Sequence, residues 1–225
     1  MANQEGRQIV AVDTVAFTIV DGKLKVLLIV RDHEPFTGAY AIPGVFVGDA
    51  EPLEEAAARV LRDKGGLANA TQYIEQLYTF GLPGRDPRGR VISVSYISLV
   101  HAPNAVISGT PSRAAWFDVK EIPRLPFDHD GIVKYAIQRL KWRVEYTTAA
   151  FAFLPGEFTI ASIRSAYEAI LDKKFDKSNF WKKMTSIGIV EDTGRVEEMI
   201  RRDNFHRPGK LYRLTKPVGA MIDIF

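Results

Sequence analysis

The sequence of residues 44–67 is GVFVGDAEPLEEAAARVLRDKGGL, in which a short apolar strand pattern precedes a helical pattern. One face of the helix predicted over residues 51–64 carries only apolar side chains, namely Leu53, Ala56, Ala57, Val60 and Leu61. The Gly65-Gly66 pair then ends the helix, because glycine readily adopts the left-handed backbone that commonly follows a helix. The segment therefore predicts a helix that packs on a sheet through one apolar face.

The sequence on either side of this helix predicts strands. Residues 10–20 and 23–30 are rich in β-branched side chains, and the Asp21-Gly22 dipeptide between them is a strong hairpin signal. Further strand patterns occupy residues 74–78, 90–100 and 114–122, the last of them ending in a turn. Strands around one helix predict an α/β domain over residues 1–126.

From residue 127 onward the pattern changes to helices. Ile132, Ala136, Leu140 and Val144 recur at four-residue spacing, which predicts an amphipathic linker helix within residues 127–150. Pro155-Gly156 interrupts the chain and predicts a hinge near residues 147–156. Two helical segments, the second with Asp176 as its N-cap, and a β-hairpin follow. This order predicts an α+β winged helix-turn-helix domain over residues 151–225.

Composition and charge narrow the class of protein. The 225 residues are 46% apolar and 25% charged and contain no cysteine, which is typical of a globular chain without disulfides or a cysteine-based zinc site. With no long apolar run and no signal peptide, we expect a cytoplasmic protein that does not bind membranes. The net charge of +3 lies in residues 151–225, where 13 Lys and Arg face 10 Asp and Glu. Such clustering suits a phosphate backbone.

The stretch around residues 44–67 resembles the Nudix box, GX5EX7REUXEEXGU. Glu51 and Arg59 match it, and Gly66-Leu67 closes it, but the glutamate positions hold Val60, Asp63 and Lys64. The resemblance implies an α/β/α sandwich, and the family cleaves pyrophosphates with Mg²⁺ held by those carboxylates. Because these positions now include an apolar residue and a cation, we expect no catalytic residue, no metal and no cofactor. Glu54, Glu55 and Asp63 stay open as substitute ligands.

The loop GLPGRDPRGR, residues 81–90, resembles the corresponding loop of ADP-ribose pyrophosphatase-like Nudix proteins. The resemblance implies a pocket for an ADP-ribose-like ligand, in which arginines clamp the diphosphate and aromatic rings stack on the base. Arg31, Arg85 and Arg88 are the predicted phosphate ligands, and Phe36 and Tyr40 are the predicted stacking residues. The box residues Glu51 and Arg59 complete the predicted ligand-binding set.

The segments LPGEFTIASIRSAYEAILDKKFDKSNFWKKM and RPGKLYRL resemble the C-terminal region of Nudix-related transcriptional regulators of NAD metabolism. That resemblance implies a homodimeric repressor that binds double-stranded operator DNA and responds to ADP-ribose or a related nucleotide metabolite. In a winged helix the second helix enters the major groove and the wing contacts the backbone. The predicted DNA-binding residues are Lys177, Ser178, Asn179, Lys182 and Lys183 on the helix and Arg201, Arg202, Arg207 and Lys210 on the wing.

Two other functions stay open. The chain could be a Nudix hydrolase of ADP-ribose or another nucleoside diphosphate derivative that uses its C-terminal domain for dimerisation. It could also be a regulator that responds to a sugar such as arabinose, since a sugar-sensing branch shares this architecture. The clustered arginines of residues 81–90 disfavour the second alternative, because a neutral sugar does not need them.

Overall fold

The computed structural model describes residues 8–67, 73–108, 113–197 and 209–222. The chain divides into two compact units. The first consists of the chain up to Thr18 together with Leu24–Arg139, and the second consists of Ile19–Lys23 together with the chain from Leu140 onward. The segment boundaries predicted at residues 126 and 150 stay a prediction. Within the described residues, none of the helices combines the length and apolar character needed to cross a bilayer.

The first unit is built on a seven-stranded sheet. In chain order its elements are β1 (Ile9–Val20), β2 (Lys23–Val30), β3 (Tyr40–Ala41), β4 (Gly44–Phe46), α1 (Leu53–Asp63), β5 (Ile74–Phe80), β6 (Val91–Val100) and β7 (Ala114–Asp118). The strand order is β3-β2-β1-β6-β5, with β4 also paired to β1 and β7 to β2. β1 and β6 run parallel over residues 9–18 and 91–100. The predicted hairpin is confirmed, and its turn residues Asp21 and Gly22 have φ angles of 52° and 69°.

Helix α1 packs through the predicted face. Ala56, Ala57, Val60 and Leu61 are buried. The helix begins two residues later than predicted, because Pro52 takes an extended backbone and occupies the N-cap position. Gly66 has φ 67°, and a Cβ there would lie 2.9 Å from the carbonyl oxygen of Ser108. The glycine therefore allows both the helix end and the close approach of that neighbouring segment.

The linker helix α2 spans His129–Tyr146. All four residues of its predicted apolar stripe, Ile132, Ala136, Leu140 and Val144, are buried. The predicted hinge is partly wrong. Residues Ala149–Phe153 form a short 3-10 helix in which every residue is buried, because the apolar AAFAF run packs instead of forming an open loop. Within the predicted hinge, the backbone outside this 3-10 helix is limited to residues 147–148 and 154–156.

The second unit has the predicted winged-helix layout. Its elements are β8 (Glu157–Phe158), α3 (Ile160–Leu171), α4 (Lys177–Ser186), β9 (Val190–Val196) and β10 (Lys210–Leu214). The three strands form an antiparallel sheet in the order β8-β10-β9. A capping box between Thr159 and Ser162 starts α3. The Asp176 carboxylate accepts a hydrogen bond from the backbone N–H of Asn179 at 2.9 Å, which confirms the predicted N-cap of α4.

Candidate functional site

The first unit contains a polar cavity of about 260 Å³ next to β1, β2 and β4. Four cationic side chains line it together with three carboxylates, two histidines and two phenylalanines. These residues are Arg31, Lys64, Arg85 and Arg88, then Asp13, Asp32 and Asp86, then His33 and His129, then Phe46 and Phe127. The structure thus brings together the three arginines predicted for a diphosphate. The cavity is also lined by Asp13, Lys64, Phe127 and His129, which no sequence motif assigned to a ligand.

Asp13 forms the buried floor of this cavity. Its carboxylate accepts a hydrogen bond from the Ser93 hydroxyl at 2.6 Å. Its Oδ2 also lies 3.5 Å from Nη2 of Arg85. A Cβ at residue 44 would come within 2.1 Å of Asp13 Oδ1, so Gly44 leaves the room that this carboxylate occupies. An aspartate inside the apolar run of β1 was the sequence signal for this site, because a buried charge needs partners.

Arg85 is held by two carboxylates. Its Nε and Nη2 atoms donate to the Asp128 carboxylate at 2.8 and 2.7 Å, and Nη2 also faces Asp13. The side chain is 4% exposed. Burial opposes the charged form, but the hydrogen bonds to Asp128 and the charge of Asp13 outweigh it and raise the pKa of Arg85. Arg85 therefore lines the cavity with much of its donor capacity already engaged by protein carboxylates.

Arg31 and Arg88 face the same aromatic ring. Their guanidinium carbons lie 4.9 and 5.5 Å from the centroid of Phe127. Arg31 donates to the carbonyl oxygens of residues 33 and 35 at 3.3 and 2.8 Å. Burial, and after it the charge of Arg88, lowers the pKa of Arg31. Arg88 donates to the carboxylate of Asp86, and these hydrogen bonds, followed by the charge of Asp86, raise the pKa of Arg88 against the opposing effect of burial.

Four residues of the predicted ligand set lie outside the cavity lining. The Tyr40 ring packs edge-on against Phe117 at a centroid distance of 4.7 Å. Phe36 reaches the cavity only indirectly, through an edge contact with Phe127 at 5.0 Å. The remaining two, Glu51 and Arg59, bind each other through hydrogen bonds of 2.6 and 2.8 Å. That ion pair joins the loop before α1 to the helix itself.

The altered box positions have distinct surroundings. Val60 is part of the buried core. Lys64 donates to the carbonyl oxygen of Gly44 at 2.8 Å and lines the cavity, where burial lowers its pKa. Glu54 accepts a hydrogen bond from Tyr96, whose pKa is raised to about 12 by burial and by this carboxylate. In the described part of the chain, no three His, Asp or Glu residues are grouped in a way that could hold a metal ion.

The buried His129 predicts a pH dependence of stability. Burial lowers its pKa from the ordinary value of 6.5, although Asp13 and Asp128 oppose this shift and Arg85 and Arg31 favour it. Below pH 6.5 the unfolded chain takes up a proton at this histidine that the folded chain does not, so acid favours unfolding. The free energy of unfolding should therefore fall by up to about 1.4 kcal/mol per pH unit below that value.

Urea unfolding at about pH 7.5 and about pH 5.5 measures this effect. His129→Gln should flatten the pH dependence relative to the unchanged protein. His101→Gln is the comparison: burial also lowers the pKa of His101, but that residue is only partly buried, so its replacement should flatten the pH dependence less than His129→Gln does. An unchanged slope in His129→Gln would contradict the assignment.

In the second unit, α4 exposes the predicted DNA-binding residues while its other face is buried. Phe180 and Met184 are in the core, and Trp181 is 46% exposed. All five predicted DNA-binding residues of this helix are exposed, namely Lys177, Ser178, Asn179, Lys182 and Lys183. A shallow groove between α3 and α4 is lined by Ile160, Ala161, Arg164, Lys177, Ser178, Trp181 and Lys182.

The predicted wing residues are described only in part. Arg201, Arg202 and Arg207 lie outside the described residues. Lys210, on β10, donates to the Asp192 carboxylate at 2.8 Å, and this bond raises the pKa of Lys210. Lys210 is exposed, and its ammonium group is paired with a carboxylate of the neighbouring strand β9.

Comparison with known proteins gives the family. A family model described as NUDIX domain matches residues 10–139, and one described as NrtR DNA-binding winged helix domain matches residues 150–214. The chain belongs to the NrtR family of Nudix-related regulators. It is 30% identical over 211 residues to the ADPR responsive transcriptional repressor NtrR of Acinetobacter baylyi, covering 91% of this chain and 81% of that relative.

Other likenesses cover both units or the Nudix unit alone. Shewanella oneidensis NrtR in complex with a 27mer DNA is 31% identical, with a TM-score of 0.78 and coverage of 93% and 94% of the two chains. The Nudix domain of the same protein, in complex with ADP ribose, is 35% identical with a TM-score of 0.52, covering 60% of this NrtR-family chain and 90% of that domain. An ADP-ribose pyrophosphatase of Methanocaldococcus jannaschii is 36% identical over 125 residues, which are 56% of this chain and 71% of that enzyme.

Proposed function

We propose that this NrtR-family chain is a homodimeric, DNA-binding repressor of NAD-metabolism genes whose Nudix unit senses ADP-ribose. The observation that carries the ligand assignment is the pair of guanidinium groups on the Phe127 ring. Among the described residues, Arg31 donates to backbone carbonyls and forms no ion pair with a carboxylate. A diphosphate next to the two arginines offsets their mutual repulsion and accepts planar, charge-assisted hydrogen bonds. ADP-ribose carries that group, and it is bound by the Nudix domain of the Shewanella relative.

The DNA assignment depends on α4. Its lysines and Asn179 are exposed whereas Phe180 and Met184 are buried, and the Shewanella relative has been seen in complex with DNA. Lysine contacts phosphates and guanine, and asparagine pairs with adenine through two hydrogen bonds. One winged helix covers a short half-site, so a homodimer on a pseudo-palindromic operator supplies the specificity that one copy lacks.

We further propose that the Nudix unit is not a hydrolase. Val60 offers no oxygen to a cation, and the Lys64 ammonium group occupies the cavity edge where the family would place a metal ligand. Glu54, one of the three possible substitute ligands, accepts a hydrogen bond from Tyr96. These residues do not fit Mg²⁺, which prefers a near-octahedral set of oxygen atoms.

The chain is therefore expected not to turn over ADP-ribose in the presence of Mg²⁺ or Mn²⁺. Release of AMP, followed by chromatography, is the measurement, and an active Nudix pyrophosphatase is the positive control. Turnover of about 1 per second that EDTA abolishes would instead support the hydrolase alternative. The similarity to the Methanocaldococcus enzyme is the observation in favour of that alternative.

The whole proposal is tested with an operator selected from a random DNA pool by repeated binding. Fluorescence anisotropy of that labelled DNA reports its complex with the protein, and ADP-ribose, NAD, ribose and arabinose are titrated in separately. ADP-ribose alone should release the DNA. Release by arabinose and not by ADP-ribose would place the chain in the sugar-sensing branch.

A further inference from the structure

The start of helix α2 is bound to the cavity by three consecutive residues. Phe127 and His129 line the cavity, and Asp128 between them holds Arg85 through two hydrogen bonds of 2.8 and 2.7 Å. Phe127 has φ 57°, a backbone conformation that bulky residues rarely adopt. The ring contacts with Arg31 and Arg88 accompany this strained backbone. The geometry of the first turn of α2 therefore depends on groups that also line the ligand cavity.

Helix α2 continues without a break from the first compact unit into the second. The division between the units falls at Arg139 and Leu140, in the middle of the helix. Leu140 and Val144, beyond that point, are buried. A continuous helix is a rigid secondary-structure element of the kind that can carry coupling from its first turn to its last.

The cluster that holds this turn is unbalanced in charge. The carboxylates of Asp13 and Asp128 share the single guanidinium group of Arg85. An anionic ligand in the cavity competes with them for that guanidinium, because Arg85 lines the cavity and a phosphate accepts the same planar pair of N–H groups. Asp13 has a second donor in Ser93, whereas Asp128 has Arg85 as its only hydrogen-bond donor among the described side chains.

We propose that ADP-ribose draws Arg85 away from Asp128 and so loosens the first turn of α2, which makes operator binding responsive to the ligand. The inference rests on the proposed function. In it, Arg85 contacts the ligand as well as Asp128, Asp128 is the positioning residue that couples two binding events, and the phosphate clamp is formed chiefly by Arg31 and Arg88.

Asp128→Asn tests this coupling. Asp128 does not line the cavity, and asparagine keeps its size while removing the charge. The variant should mimic the ligand-bound state. Its operator affinity without ligand should be lower than that of the unchanged protein, and its affinity for ADP-ribose should be higher, since the ligand no longer competes with a carboxylate. The factor by which ADP-ribose weakens operator binding should fall from about 10-fold or more to about 2-fold or less.

Two further variants separate coupling from simple structural support. Asp128→Glu keeps the carboxylate and should restore part of the coupling. Glu121→Gln removes an exposed charge shortly before α2 and should behave like the unchanged protein. A merely structural role would lower thermal stability and ADP-ribose affinity together, whereas the proposal requires the ligand affinity to rise.

Calorimetric titration of ADP-ribose and DNA anisotropy, both on the full chain, give all the quantities. If the unchanged protein does not bind ADP-ribose, the proposed function fails, and this inference fails with it. If it binds and releases DNA but Asp128→Asn shows the same coupling, or binds ADP-ribose more weakly, only the inference is overturned.

Discussion

Replacing Arg31 with alanine is expected to weaken ADP-ribose binding by about 10- to 150-fold, which corresponds to the loss of one hydrogen-bonding charged group worth about 1.5–3 kcal/mol. Arg31 is the cavity arginine that forms no ion pair with a carboxylate in the described part of the chain. Its guanidinium can therefore bind a phosphate without the loss of an ion pair, through the N–H groups that do not donate to the carbonyl oxygens of residues 33 and 35. Arg85, in contrast, would have to leave Asp128.

The measurement is calorimetric titration of ADP-ribose into each purified variant. Arg31→Lys should give an intermediate loss, because lysine keeps the charge but not the planar pair of donors. Arg62→Ala is the matched control, since Arg62 is an exposed arginine of α1 that pairs with Asp63 outside the cavity. Equal affinities for the Arg31 and Arg62 variants would contradict the assignment of the phosphate site.

The local features of this fold could be predicted from sequence because short-range rules determine them. The Asp21-Gly22 turn, the Asp176 cap and the apolar stripes of α1 and α2 each depend on residues within a few positions of one another. The hinge predicted near residues 147–156 is only partly present, because Pro155-Gly156 breaks the chain while the apolar residues Ala149–Phe153 before it pack into the core.

The cavity depends on long-range contacts, which local sequence patterns do not predict. The sequence of residues 81–90 indicates a group of arginines that could bind phosphate. Their carboxylate partners are not local: Asp128 lies 43 residues from Arg85, and Asp13 lies on β1. The pairing therefore depends on the tertiary fold. Tyr40 illustrates the same limit. Ala41, the next residue of the strand, lines the cavity. Because neighbouring strand residues face opposite sides of a sheet, the Tyr40 ring lies on the other side and packs against Phe117.

The double change Lys177→Ala and Lys182→Ala is expected to reduce operator affinity on the order of 50-fold at about 0.1 M salt. Both lysines line the groove between α3 and α4 beside Trp181. If each neutralises one phosphate, each loss removes about 0.9 from the slope of log affinity against log salt, so the double variant should have a slope flatter by about 1.8. Random DNA should lose affinity by a similar factor, because phosphate contacts carry no sequence information.

Asn179→Ala should behave differently, since the side chain of Asn179 is exposed on the first turn of α4, the part of a recognition helix that contacts base edges. Its salt slope should stay unchanged while the preference at one base pair of the operator weakens. The control for lost charge is Lys120→Ala with Lys134→Ala, two exposed lysines of the first unit. Anisotropy titrations across a salt series would contradict the division between phosphate-contacting and base-contacting residues if all three proteins changed slope alike. The reason is thermodynamic: only the loss of a phosphate contact changes how many counterions the DNA releases, and that number is what the slope measures.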